Sequence, residues 1–288
     1  MFEATNELAL RKVFEHAEAV DKYCAEHGMV RIFTALFGSQ NYHLDNEYSD
    51  VDTKSIVVPS VYDWLWSTEG DANYVLEMPD GSHAEMKPVV GMFKQFLKGN
   101  ANFIEMLYTP YVDIAEDWEW FYDALVKNAD NICRHNMYRQ ARAWLSFVDQ
   151  MAVRTLRSSK SAIVNPDTQM DAMGYRYDLG YNPKAFMNFL RLKETFTRYF
   201  HYHRPFDEAT DMTDRREELL KVKSGALSRE AVDSLLSGYD RWIQTEHDYI
   251  TNHYEDKEVW DAEKYLRDLA LEAFLRTVER MGEFQECI

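Results

Sequence analysis

Asp50 and Asp52 stand two residues apart in Ser49-Asp50-Val51-Asp52, directly before the strand-like segment Thr53–Val58. At the start of a strand, alternation puts both carboxylates on one face. Two acidic groups held side by side repel unless a cation sits between them. Mg²⁺ takes hard oxygen ligands, commonly one or two carboxylates together with substrate phosphates. Two such ions can clamp the attacking and the leaving oxygen of a phosphoryl displacement. A dozen residues earlier, Gly38-Ser39 closes a mostly apolar run, Met29–Phe37. Gly38 permits close backbone approach, Ser39 adds a hydroxyl donor, and N–H groups where a strand turns into a short helix suit a phosphate oxygen. An isolated D-x-D is ordinarily a turn or a strand edge. Joined to Gly-Ser at this spacing, between two strands, it describes a site for a nucleoside triphosphate (NTP) and magnesium.

The elements around these residues follow from pattern. Leu10, Val13, Phe14, Ala17, Val20 and Cys24 recur at helical spacing over 5–26, ending near Gly28. Residues 29–37 and 53–58 read as strands, and 74–78 with 82–87 as a hairpin turned by Pro79-Asp80-Gly81. Pro88 suits the first turn of a helix carrying Met92, Phe93, Phe96 and Leu97, stopped by Gly99, and a short helix follows at 101–108. Beyond that the strand signals fade. Segments 116–128, 131–158, 183–202, 213–223, 228–252 and 258–281 read as helices, the clearest opened by Asn182 as N-cap and Pro183. The expected fold class is α+β: a small mixed sheet with flanking helices over 1–112, then an all-helical domain over 113–288. A chain of 288 residues accommodates two such domains.

The stretch Gly38-Ser39-Gln40-Asn41-Tyr42-His43-Leu44 through Ser49-Asp50-Val51-Asp52 resembles the signature of the DNA polymerase beta-type nucleotidyltransferase superfamily. It is most similar to a bacterial and phage branch with a G-S-x-x-Y-x-L start and an S-D-x-D end. The resemblance continues in Lys98-Gly99-Asn100-Ala101-Asn102-Phe103-Ile104-Glu105-Met106-Leu107-Tyr108 and resumes in Tyr181-Asn182-Pro183-Lys184-Ala185-Phe186-Met187-Asn188-Phe189-Leu190-Arg191-Leu192. His43 stands where the branch often has Gly, and Ala101 where it often has Pro. The resemblance implies a nucleotidyltransferase-type sheet and a third carboxylate on an adjacent strand, which completes the metal site and activates or orients the acceptor hydroxyl. Glu77 and Glu85, on the two hairpin arms, are the candidates. Glu85 is preferred because it immediately precedes the helix leading to the family-like element.

The function expected from this set is Mg²⁺-dependent transfer of a nucleoside monophosphate from an NTP to a hydroxyl, with release of pyrophosphate. Asp50, Asp52 and Glu85 would hold two Mg²⁺ ions, and Gly38 and Ser39 the β- and γ-phosphates. Lys184, Asn188 and Arg191 fall on one helical stripe. Lys184 and Arg191 would add a grip on the triphosphate, against the plain reading of a solvated face. The alternative is a non-catalytic nucleotide-sensing or interaction module that keeps the fold. Glu105 reads as structural, and His201-Tyr202-His203 lack companions for a metal site.

The net charge of −17 disfavours a long nucleic-acid partner, since phosphate binding rests on Lys and Arg. One segment departs from it: 131–165 holds Arg134, Arg139, Arg142, Arg154, Arg157 and Lys160 against Asp149 alone. The preceding 111–130 holds Asp113, Glu116, Asp117, Glu119, Asp123 and Asp130 against Lys127. Mutual pairing of the two segments is the expected outcome, and a docking site for an RNA end the other. The acceptor is thus open among a small molecule, a protein hydroxyl and an RNA end. No apolar run reaches membrane-spanning length, and Met1–Glu7 lacks the pattern of a signal peptide. Cys24, Cys133 and Cys287 are dispersed, which suggests reduced thiols and a cytoplasmic setting.

Overall fold

A computed structural model of the chain describes residues 6–46, 49–66, 72–157 and 165–286. Glu47, Tyr48, Lys160 and Cys287 lie outside the described residues. The chain divides into two compact units, one of residues up to 41, 45–136 and 258 onward, the other of Tyr42–Leu44 and Met137–Lys257. Residues 113–136 and 258 onward, which a cut at 112 assigns to the helical part, therefore belong with the sheet.

The first unit opens with α1 (Glu7–Glu26), capped by Asn6, whose side chain accepts the Ala9 N–H. β1 (Val30–Phe37), β2 (Asp52–Val58), α2 (Val61–Trp66), β3 (Tyr74–Glu77) and β4 (His83–Pro88) follow. After them come α3 (Val89–Leu97), α4 (Ala101–Ile104), β5 (Val112–Ile114), α5 (Glu119–Lys127) and α6 (Ala129–Arg134). The five strands form one mixed sheet in the order β3-β4-β2-β1-β5, with β2 and β4 parallel and the other pairs antiparallel. A parallel pair needs a crossover, supplied here by the chain through α2 and β3.

α1 covers one face of the sheet: Val20 and Cys24 pack with Val57, Ala84 and Met86. Arg31, buried on β1, ties the layers, its guanidinium bidentate to Asp21 of α1 and 2.7 Å from Asp113 of β5. Burial alone would lower the Arg31 pKa, but the two carboxylates raise it.

The second unit is helical: α7 (Met137–Leu156), α8 (Pro183–Phe196), α9 (Phe206–Thr210), α10 (Arg216–Lys223), α11 (Arg229–Leu236) and α12 (Tyr239–His253). α8 continues into a π-helix at Thr197–His201. Phe186, Phe189, Phe196, Tyr199 and Phe200 are buried with Trp144 of α7. α13 (Ala262–Glu286) completes the first unit, where Phe274 stacks on Trp64 and Arg280 pairs with Asp117.

The pattern-based reading therefore locates the main strands and helices but differs in six details. β5 is a three-residue strand that it lacks. α2 and α9 are also absent from it. The helix expected at 131–158 breaks at His135-Asn136, and the one at 228–252 breaks at Ser237-Gly238. Pro88 closes β4 and caps α3 instead of lying in its first turn. Among the described residues no helix is long and apolar enough to cross a membrane.

Candidate functional site

The register of three strands assembles the site. β1 and β2 pair with Phe37 opposite Asp52, so the Gly38-Ser39 turn leaving β1 lies beside the residue that opens β2. β2 and β4 run parallel with Lys54 opposite Glu85. Because Val57, Ala84 and Met86 face α1, alternation sends Asp52, Lys54 and Glu85 to the other face. Glu77 pairs with His83 on the edge strand, so it shares that face but is exposed. Both hairpin arms thus carry a carboxylate on the side of Asp52.

Asp52 Oδ1 accepts the backbone N–H of His83 at 2.9 Å and lies 3.4 Å from His83 Nδ1. Asp50 falls before β2 and is exposed, so the strand alternation expected to align it with Asp52 does not extend to it. Its anchor is different: Gln40 Nε2 donates to the Asp50 carbonyl oxygen at 2.9 Å. Gln40 is 5% exposed, and its buried Oε1 has no hydrogen-bond partner among the described residues. Gly38 has φ 115°, where a side chain is strained, and a Cβ there would come within 3.9 Å of Gln40 Oε1. Ser39 opens a single 3₁₀ turn ending at Tyr42. A turn that short has little helix dipole, so any hold on a phosphate here comes from N–H groups and the Ser39 hydroxyl.

Lys54 was not foreseen as part of the site. It is 5% exposed, its Nζ paired with Glu85 Oε2 and held 4.2 Å from the Phe37 ring centroid and 4.5 Å from that of Phe103. Lys87, on the same face, lies 5.8 Å from the Phe103 centroid. A period-two reading of Asp52-Thr53-Lys54 carries the signal for Lys54. Nothing in the sequence marks Gln40.

The carboxylates of Asp52 and Glu85 share one face of the sheet and offer hard oxygens of the kind Mg²⁺ takes. Among the described residues no three of His, Cys, Asp and Glu come together as a metal-holding group.

In the second unit Lys184 is exposed, whereas Arg191 is 6% exposed, its guanidinium 3.9 Å from the Tyr42 ring centroid and its Nε 3.4 Å from Asn188 Oδ1. The stripe expected to grip the triphosphate, with a solvated face as the plain alternative, is therefore split: Lys184 is exposed and Arg191 packs on Tyr42. Tyr42–Leu44 is held in this unit through its carbonyls: Met212 N–H donates to Tyr42, Arg216 to His43 and Lys223 to Leu44. His43 has φ 57°, in the left-handed region that glycine adopts without strain. That backbone explains why a Gly would suit the position.

His201 bonds Glu246 at 2.6 Å and stacks on Tyr249, while Tyr202 and His203 are exposed. Glu105 is buried. Of the oppositely charged segments, Asp113 pairs with Arg31, Asp117 with Arg280 and Arg139 with Asp256, and Arg154 and Arg157 are exposed. The expected mutual pairing is replaced by these partners at Asp113, Asp117 and Arg139. Cys24 and Cys133 are buried free thiols, and burial pushes both up to about 12. A thiolate is scarce at either near neutral pH. No protein-family model matches the chain, and a search of curated proteins returned no match.

Proposed function

We propose that the chain is a nucleotidyltransferase of the DNA polymerase beta type, transferring a nucleoside monophosphate from an NTP to a hydroxyl. The observation that carries this reading is the convergence of the Gly38-Ser39 turn, Asp52 and Glu85 at one end of a mixed sheet through the β1–β2 and β2–β4 registers. The nucleotidyltransferase-type fold assignment rests on the same convergence and on the motif. In the reaction the acceptor oxygen forms a bond to the α-phosphorus while the bond to the β-bridging oxygen breaks, and pyrophosphate leaves. Asp50 and Asp52 would hold Mg²⁺, which when bound offsets charge on the phosphates. Ser39 and the backbone at Gly38 orient the β- and γ-phosphates. Glu85 faces the acceptor hydroxyl and takes or orients its proton. Positioning and charge complementarity supply most of the barrier reduction in such a site.

The test is pyrophosphate release with each NTP and Mg²⁺, followed by asking whether label enters protein, RNA or small-molecule fractions. Asp52→Asn should lower turnover by at least about 100-fold while leaving thermal unfolding within a few degrees of wild type. Glu85→Gln should lose turnover and keep NTP binding, whereas Glu77→Gln should be nearly silent. Wild-type-like turnover in Asp52→Asn would overturn the assignment, and the opposite pattern for the glutamates would move the third carboxylate to β3. The second reading, a nucleotide-sensing module, is favoured by the Lys54–Glu85 pair, which already engages the third carboxylate. NTP binding without pyrophosphate release would establish it.

A further inference from the structure

Lys is rarely buried unless paired, and a buried ammonium is stabilised by aromatic faces as well as by a carboxylate. Lys54 has both. Its Nζ is paired with Glu85 and flanked by Phe37 and Phe103, from the end of β1 and from α4. It shares a strand face with Asp52, two residues away, on the parallel neighbour of the strand that carries Glu85. The carboxylate that would complete a two-ion site is thus already neutralised by a cation built into β2. Seating a divalent ion on Glu85 would place it against an ammonium that two rings hold where it is. Like charges at that range in a poorly hydrated site repel strongly. The carboxylates left for an ion are those of Asp52, which accepts the His83 N–H, and of Asp50, whose backbone carbonyl Gln40 holds.

We propose that the site works with one divalent ion, and that Lys54 Nζ stands in for the second. This rests on the nucleotidyltransferase reading and revises its expectation of two ions. In this arrangement Asp50 and Asp52 hold the ion that accompanies the triphosphate. The Lys54 ammonium, fixed between Phe37 and Phe103, supplies the positive charge on the acceptor side. Glu85 is oriented by Lys54 instead of by a metal, which makes Lys54 a positioning residue for the acceptor step.

The experiment counts Mn²⁺ per chain by electron paramagnetic resonance in the full chain. Saturating α,β-methylene NTP is present, the four bases being tried singly, and binding of the analogue is measured in parallel by equilibrium dialysis. Wild type should bind one ion. Lys54→Met, which keeps the side-chain length between the rings, should bind two, and Lys54→Met combined with Glu85→Gln should return to one. Two ions in wild type would overturn the proposal, as would one ion in a folded Lys54→Met. If Lys54→Met fails to fold, the wild-type count decides alone. The failures are distinguishable. A chain that binds the analogue with two ions refutes only the one-ion proposal, whereas a chain that binds neither analogue nor Mn²⁺ refutes the nucleotidyltransferase reading as well.

Discussion

His16 is fully buried on the sheet-facing side of α1, with both ring nitrogens engaged. Asp80 accepts the Ser82 hydroxyl at 2.5 Å, so Ser82 Oγ in turn accepts from His16 Nε2–H at 2.9 Å. Nδ1 of a neutral ring is then the acceptor for the Thr53 hydroxyl, also at 2.9 Å. Lys12 closes the chain on Asp80 at 2.8 Å, and its hydrogen bond, with that of Ser82, holds Asp80 well below the usual carboxylate range. The array suits a neutral His16, which burial favours, and ties α1 to β2 and to the hairpin turn, next door to Asp52. Burial lowers the His16 pKa below its ordinary 6.5. The unfolded chain therefore takes up a proton at a higher pH than the folded one. The stability this linkage contributes is complete above about 6.5 and is lost as pH falls through the lower folded value. Urea unfolding at pH 5, 6, 7 and 8 should show that loss, and His16→Gln should flatten it. An unchanged slope in the variant would assign the effect to another group. Helical spacing marks His16 on the face of Val13 and Val20, but its role depends on Thr53 and Ser82, distant in sequence.

At the scale of elements, α8 shows how much local chemistry settles. Asn182 accepts the Ala185 N–H at 2.9 Å through Oδ1, and Pro183 occupies a first-turn position where no N–H is needed. Both are readable in the sequence. Asn182 Nδ2 also donates to Met173 O at 2.6 Å, which joins the cap to the preceding loop and is not readable there. Asn182→Ala removes both bonds and should cost about 1–2 kcal/mol in urea unfolding. Asn182→Asp, which keeps the accepting oxygen, should recover part of it. An indifferent Asn182→Ala would mean that the helix starts without its cap. β5 illustrates the opposite case. Three residues carry too little alternation to announce a strand, and Val112–Ile114 becomes one because β1 offers an unpaired edge and Asp113 reaches Arg31.

For the whole molecule, the net charge of −17 dominates. Self-repulsion at that charge destabilises the folded state and is screened by salt, whose Debye length is about 10 Å at 0.1 M. Raising NaCl from about 0.02 to 0.5 M should therefore raise Tm by a few degrees. A fall would mean that local pairs such as Arg31 with Asp21 and Asp113 outweigh the global term. Under the proposed transfer reaction, the same charge bears on the choice of acceptor. Arg154 and Arg157 are exposed at the end of α7, yet they stand in a chain whose balance opposes a long polyanion, which favours a small molecule or a protein hydroxyl.

Features that repeat along the chain or sit within a few residues of one another are legible in the sequence. They include the face of α1, the hairpin, the capped start of α8, and the placing of Gly38-Ser39 and Asp52 at the ends of successive strands. Hydrophobic period and capping chemistry are local, so they survive without tertiary information. Folding in three dimensions sets the rest: Asp50 falls outside β2, Gln40 holds its carbonyl, Arg191 packs on Tyr42, and Lys54 pairs with Glu85. Each of these depends on strand register or on residues distant in the chain. One step of register would have turned Lys54 toward α1 and left Glu85 without its cation.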